Sequence, residues 1–427
     1  MTMRERPRQR GRAIPTRHGI LQAPHPLITL LKFVGVSLAV VAVSVATVGG
    51  VAVADIASSI KPGIHLAALP GQKNPPTPQI GAIEGGVNLL LVGTDTRTGQ
   101  GGAFDTQAQL AGSSGAGNND VTMLLHIAQD HKSATIVSIP RDLMVPVPSC
   151  PRAGGGNVPA TSDAMFNSTL ARGGLPCVVL TVESMTGLQI PYAAEISFDG
   201  VTGMSDAIGG VSVCIATPIH DPYTGLNLPA GTQTIVGSTA LEFLRTRHGV
   251  GDGSDLGRIS NQQVFMSALA RKVTSGGVLG NPIQLYSLAK VAASNMQLSD
   301  TLTNPSTMVE IALALKNIGL GNMVFLQYPS QSDPANPNRV IPNASAASVL
   351  NAALVADQPV QLSGTVGRAA ELAPSAAASP SPAPAAPAKG STSAAPAPSA
   401  STPPAVVLPQ SVTGQTAAEQ TCTKGNN

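Results

Sequence analysis

The stretch FVGVSLAVVAVSVATVGGVAVA, Phe33 to Ala54, holds no charged residue. As an α-helix it would reach about 33 Å, enough to cross a bilayer core, and this constrains the chain more than any other feature. The chain beyond it must then fold on one side of a membrane. Arg4, Arg6, Arg8, Arg10, Arg12, Arg17 and Lys32 precede it against the single acid Glu5. Basic flanks stay cytoplasmic, so the long remainder is expected outside. A cleaved signal peptide is the rival reading, disfavoured because both the apolar run and the basic region are too long for one. Topology also accounts for the basic arm without invoking nucleic acid.

Five segments are expected: a cytoplasmic arm (1–32), a transmembrane helix (33–54), a Pro/Gly-rich linker (55–86), a folded domain (87–362) and an Ala/Pro/Ser-rich disordered tail (363–427). The tail contains SPSPAPAAPAKGSTSAAPAPSASTPP, which has too few large apolar side chains to build a core. Without the basic arm, the net charge of +2 leaves no basic surface for a polyanion, so any anion chemistry must be local. Cys150, Cys177, Cys214 and Cys422 show no CxxC or Cys/His metal spacing, which suits disulfides in an exported domain. Cys150 with Cys177 is the favoured pair, since closing that loop would stabilise by about 3 to 4 kcal/mol. For Cys214, a free buried thiol stays open beside a disulfide.

VNLLLVGTD (87–95), VTMLLHIA (121–128) and ATIVSIP (134–140) are short apolar runs bounded by turn residues and read as buried strands. GSTALEFLRTRH (237–248), capped by Ser238 or Thr239, RISNQQVFMSALARKV (258–273) and PSTMVEIALALKNI (305–318) show helical spacing. AAEISFDGVTGMSDAIGGVSVCI reads as hairpin-like. Strands alternating with helices predict a single α/β sandwich domain.

Charged residues make up only 11% of the chain, so charge at the ends of apolar runs stands out. It occurs at Asp95 and Arg97, at Asp120, at Arg141 and Asp142, and around LRTRHGVGDGSDLGRISNQQ, which carries Arg245, Arg247, Arg258 and Gln262. Any one of these could be a solvated turn residue. Their recurrence points to a divalent metal on aspartate oxygens beside an arginine-lined phosphate site. The glycine loop is no P-loop: it lacks GK[ST], and Asp252 and Asp255 would repel phosphate. These two acids read instead as braces of the arginine loop. There is no GxGxxG between strand and helix, no GxSxG and no HExxH. His126, inside an apolar run, reads as a packed residue, and His248 as a helix-end residue beside the loop.

NLLLVGTDTR, DVTMLLHI, ATIVSIPRDL, FNSTLARGG, EISFDGVTGMSDAIGGVSVCI, GLNLPAGTQTIVGSTALEFLRTRH, GSDLGRISNQQVFMSAL and PNRVIP succeed one another between about Asn88 and Pro342. In that order they resemble the successive motifs of the LytR-CpsA-Psr family, and the high Ala, Gly and Pro content would suit an actinobacterial source. The resemblance implies a membrane-anchored phosphotransferase acting outside the cell. It would move a glycopolymer with one phosphate from a polyprenyl-pyrophosphate carrier to a peptidoglycan hydroxyl. Carried onto matching positions, Asp95 and Asp120 would hold Mg2+. Arg97, Arg141, Arg245, Arg247 and Arg258 would surround the pyrophosphate, supported by Asp142 and Gln262.

The sequence departs from the family pattern at one place. Relatives often have Arg-x-Asp-Thr, whereas this chain has Asn118-Asn119-Asp120-Val121. That departure favours the alternative of a catalytically silent carrier-binding or wall-binding protein. A regulator is disfavoured, because the cytoplasmic arm is too short for a helix-turn-helix.

Overall fold

The computed structural model describes residues 26–67, 86–100, 113, 115–152, 154–274, 278, 281–373 and 404–426. The expected cytoplasmic arm, most of the linker, the glycine-rich segment after Gln100 and the most Pro-rich part of the tail lie outside these residues. Two units are separable, Met1–Ala54 and Asp55–Asn427. Helix α1 (Pro26–Ser59) contains the uncharged run, is 34 residues long and has no buried side chain. It is long and apolar enough to span a membrane.

The second unit is built on a seven-stranded sheet. Its strands are β1 (Val87–Thr94), β2 (Asn119–Ile127), β3 (Ala134–Ser138), β4 (Tyr192–Ile196), β5 (Met296–Leu298), β6 (Met323–Gln327) and β7 (Gly414–Thr416), in spatial order β5-β4-β1-β2-β3-β6-β7. The β1/β4 and β3/β6 pairs are parallel and the others antiparallel. Both faces are covered, which is why these strands read as continuous apolar runs. Leu90, Val92, Leu124 and Val137 pack into one core with Val178 and Val182 of α2 (Thr169–Thr186). Leu89, Leu91, Met123 and Ile136 point into a second core on the other face. The α/β sandwich expected from sequence is the fold observed.

Helices α3 (Phe198–Ala207), α4 (Gly237–Arg245), α5 (Asp255–Thr274), α6 (Pro282–Asn295), α7 (Pro305–Asn317) and α8 (Ala344–Val355) complete the helical set used below. Two local expectations fail. α4 starts two or three residues early, with Val236 at its N-cap position and no side-chain cap, so neither Ser238 nor Thr239 fills that role. The hairpin-like stretch is strand, helix, strand: α3 sits between β4 and Val211–Ile215. A Cβ at Gly200 would come within 2.8 Å of Ile196 Cγ1, so a glycine there lets α3 close on the end of β4.

The domain is also larger than 87–362. Residues 60–67 join it, through Ile64 N–H donating to Leu298 O (2.8 Å) and Asp300 N–H to Ile64 O (2.9 Å). At the other end, 363–373 and 404–426 are folded, contrary to the expected tail. Gly414–Thr416 is β7, and Thr421–Thr423 lies between Val211–Ile215 and Ala370–Leu372 in a four-stranded sheet. Short strands tied by non-local partners carry no local periodicity from which to predict them. The disulfides are Cys150–Cys177, as favoured, and Cys214–Cys422, which removes the free-thiol reading of Cys214.

Candidate functional site

A cavity of about 500 Å³ opens between the sheet and helices α3 to α6. Its two ends differ in chemistry. Arg141, Arg245, Arg247, Arg258 and Asp120 line one part, and aliphatic side chains such as Leu91, Met123, Val201, Leu241, Leu269 and Leu288 line the other.

The polar end is assembled from strand and helix termini. Asp120 stands at the start of β2 and accepts from Arg141 Nη1 at 2.9 Å. Arg141 follows β3; its Nε lies 3.6 Å from Asp142 and 3.8 Å from Asp255. Burial opposes its charge, but Asp120, Asp255 and Asp142 outweigh burial and hold the guanidinium above its ordinary value. Arg258, in the first turn of α5, reaches Asp255 (2.6 Å) and donates to Asp120 O (2.8 Å).

Arg245 ends α4, where the helix dipole favours a cation, and its Cζ sits 4.5 Å over the Phe198 ring. Burial, then the neighbouring charge of Arg97, push its pKa down, and Arg258 adds to this against Asp120 and Asp95. An anion bound beside it would act in the opposite direction, favouring the charged form.

The arginine loop is held from behind by Asp221, which accepts from Thr246 Oγ1 (2.5 Å) and Gly249 N–H (3.3 Å). Burial would raise the Asp221 pKa, but these bonds and those from the Tyr223 and Arg247 amides bring it below its ordinary value. Asp252 accepts from Ser254 and pairs with Arg368 at 2.8 Å, so Asp252 and Asp255 both act as the braces expected. Cβ atoms at Gly249 and Gly251 would lie 2.8 Å from the Cβ atoms of Asp221 and Ala369, so these glycines let the loop pack against its own domain.

Helix α5 begins with buried polar residues that have partners of their own. Asn261 Nδ2 donates to Phe243 O (2.6 Å) and Gln262 Nε2 to Leu244 O (2.9 Å). These two amides satisfy carbonyls that α4 leaves unpaired at its C-terminus, and so aim Arg245 and Arg247. Gln262 lines the cavity, yet its amide is engaged with the backbone. Through that bond it supports the helix end that carries Arg245.

Other expected residues lie beside the cavity. Asp142 sits behind Arg141, 3.8 Å from Arg339, and burial followed by Asp255 raises its pKa. Arg97 and Asp95 are not cavity-lining. Asp95 Oδ1 accepts from Ser113 Oγ (2.8 Å) and Asn118 N–H (2.6 Å), and its Oδ2 from Asn118 Nδ2 (3.3 Å). Asn118, at the position where relatives often carry arginine, thus holds Asp95. Asn119 is structural: its Oδ1 accepts from Leu170 N–H (3.1 Å) in the first turn of α2. His126 is packed, with Nδ1 2.8 Å from Asn88 Oδ1, while His248 lines the cavity beside Tyr223.

Among the described residues no three acidic, His or Cys side chains form a metal cluster. Two carboxylates do suit Mg2+, which usually keeps waters and takes substrate phosphate oxygens rather than an all-protein cage. Asp95 Oδ2 takes a long bond of 3.3 Å from Asn118, and Arg141 engages Asp120 through Oδ1, so Asp95 Oδ2 and Asp120 Oδ2 are the less engaged oxygens that each could offer a cation.

The model of the LytR_cpsA_psr family matches residues 64–355, a span that includes every wall of this cavity. This chain belongs to the LytR_cpsA_psr family. It is 31% identical over 270 residues to cell wall biosynthesis protein LcpA of Corynebacterium glutamicum, covering 59% of this chain and 51% of the relative. It is 31% identical over 208 residues to the polyisoprenyl-teichoic acid–peptidoglycan teichoic acid transferase TagU of Oceanobacillus iheyensis, covering 46% and 58%. The chain therefore spans about half the length of the curated relatives it matches. Its fold is similar to that of a LytR-Csp2A-Psr enzyme from Actinomyces oris, with a TM-score of 0.50, 21% identity, and coverage of 69% of this chain and 96% of that one. The family resemblance read from the sequence thus holds over this span.

Proposed function

We propose that this family member transfers a glycopolymer, together with one phosphate, from a polyprenyl-pyrophosphate carrier to a peptidoglycan hydroxyl at the outer face of the membrane. One observation carries the reading: a single cavity joins four arginines to an aliphatic pocket. A diphosphate esterified to a long hydrocarbon has that same division. Relatives named as cell wall proteins and as teichoic acid transferases support the class of reaction.

The arginines would do most of the work. Arg141, Arg245, Arg247 and Arg258 present planar donors to the diphosphate oxygens and neutralise charge that builds on the leaving phosphate. The acceptor hydroxyl oxygen bonds to the phosphorus next to the sugar and gives up its proton to a base, the bond to the bridging oxygen breaks, and polyprenyl phosphate leaves with that electron pair. Phe198 and the α4 terminus fix Arg245, while Asp221 and Gln262 fix the loop carrying Arg247. Asp95 and Asp120 would hold Mg2+, which when bound supplies further neutralisation of the diphosphate. Aliphatic walls keep water from the lipid and strengthen the electrostatics at the polar end.

A silent carrier-binding protein is the second reading, favoured by Asn118 at the arginine position. The two separate in one assay. Full-length protein given a polyprenyl-pyrophosphate oligosaccharide and peptidoglycan should release polyprenyl monophosphate as sugar becomes wall-bound. Donor binding without release would establish the silent reading instead.

A further inference from the structure

Helix α6 lies between the cavity and Asp55. Leu288 lines the aliphatic part of the cavity, as does Val273 near the end of α5. On another face, Tyr286 hydroxyl and Lys290 Nζ both bind the Asp55 carboxylate, the lysine at 2.5 Å. Asp55 is the first charged residue after the uncharged run Phe33–Ala54. A charge there belongs at the membrane–water boundary, and tyrosine and lysine are side chains suited to that depth. Ile283, Tyr286 and Lys290 stand at i, i+3 and i+7, on one side of the helix. Ile283 is 78% exposed and Leu285 41% exposed. The helix start is fixed by Asn281, whose side chain accepts from Ile283 and Gln284 N–H.

We propose that α6 docks through Ile283 and its Tyr286/Lys290 face into the outer leaflet, so that the aliphatic end of the cavity meets the bilayer. The lipid tail of a donor then passes from membrane to cavity without crossing water. An exposed isoleucine beside a boundary lysine is stabilised by entering the acyl–headgroup region, and the tether at Asp55 holds α6 within reach of it. The inference rests on the reading of α1 as a membrane span.

The chain contains no tryptophan, so Ile283→Trp supplies a sole reporter. Full-length protein is placed in bilayers containing lipids brominated along the acyl chain, beside a Val355→Trp control on α8; Val355 is 58% exposed. Ile283→Trp should emit at shorter wavelength and be quenched about two-fold or more relative to the control. Equal quenching, with the protein retained in the bilayer after alkaline wash, overturns the docking. Loss of the protein in that wash instead overturns the membrane-span reading, and the docking with it. Ile283→Asp should raise KM about ten-fold for a long-chain donor in bilayers and leave transfer from a short-chain soluble donor unchanged. Equal loss with both donors also contradicts the proposal.

Discussion

Asp255 lies 2.6 Å from Arg258 and 3.8 Å from Arg141, so one buried carboxylate ties together arginines that reach the site from a helix start and a strand end. The sequence separates them widely, and only the fold gives them a common counter-ion. Asp255→Asn should leave both guanidiniums under-compensated. We expect a stability loss of about 3 to 5 kcal/mol, the range for breaking a buried ion pair from one side. Chemical denaturation measures it, and a loss below about 1 kcal/mol would show that Asp255 contributes no more than a surface pair.

Gln262→Ala removes the side-chain donor to Leu244 O while leaving the arginines in place. A positioning role predicts a loss of about 1 to 2 kcal/mol in stability and a lower kcat from misaimed Arg245 and Arg247. Gln262→Glu cannot donate that bond in its ionised form and should not rescue. An unaltered kcat in Gln262→Ala would assign the amide a purely structural part.

Glu195 on β4 is pushed up to about 7, by burial first and against the opposing charge of Lys61. In the unfolded chain the same group titrates near 4.5. The folded state holds the proton more tightly, so this contribution to stability is greatest below about 4.5, falls between 4.5 and 7, and is lost above. Glu195→Gln abolishes the titration. Its melting temperature should exceed the parent's at about pH 8, with the gap closing toward about pH 4.5. A gap that is constant across that range contradicts the buried carboxyl.

The Cys214–Cys422 disulfide closes 208 residues and anchors the segment that holds the arginine loop from outside. Gly251 N–H donates to Lys424 O (3.0 Å), Asn426 N–H to Gly249 O (2.9 Å) and Asn426 Nδ2 to His248 O (3.0 Å). Cys422→Ser should cost about 5 kcal/mol on the chain-entropy model. Amide exchange in residues 246–253 should speed up more than in β1 or β2. Equal protection of the loop would mean that these bonds persist without the crosslink.

The arginines were legible in the sequence because charge is scarce and each stands where an apolar run ends. The sandwich was legible for a related reason: runs such as VNLLLVGTD have to be buried on both faces. Less visible was the part each side chain plays. How Gln262 supports the arginines shows only once α4 is seen to end at its amide, and Asp95 looks like a solvated turn residue until Asn118 folds onto it. Phe198 gave no sign beyond being aromatic. The cavity's aliphatic wall comes from separate strands and helices, so no single window of sequence shows it. The C-terminal strands escaped because each is three residues long and depends on distant pairing, here Cys422 with Cys214, which spacing cannot assign.

The central claim is that the four arginines act on a lipid diphosphate in the transition state. Arg247 tests it most directly, because it lines the cavity on a loop braced by other residues and can be shortened without removing a brace. The decisive measurement is single-turnover transfer from a labelled polyprenyl-pyrophosphate oligosaccharide to peptidoglycan, by full-length protein in bilayers, for the parent chain and Arg247→Ala. We predict a fall of about 10² to 10³ with the fold unchanged. An unchanged transfer rate would contradict the account.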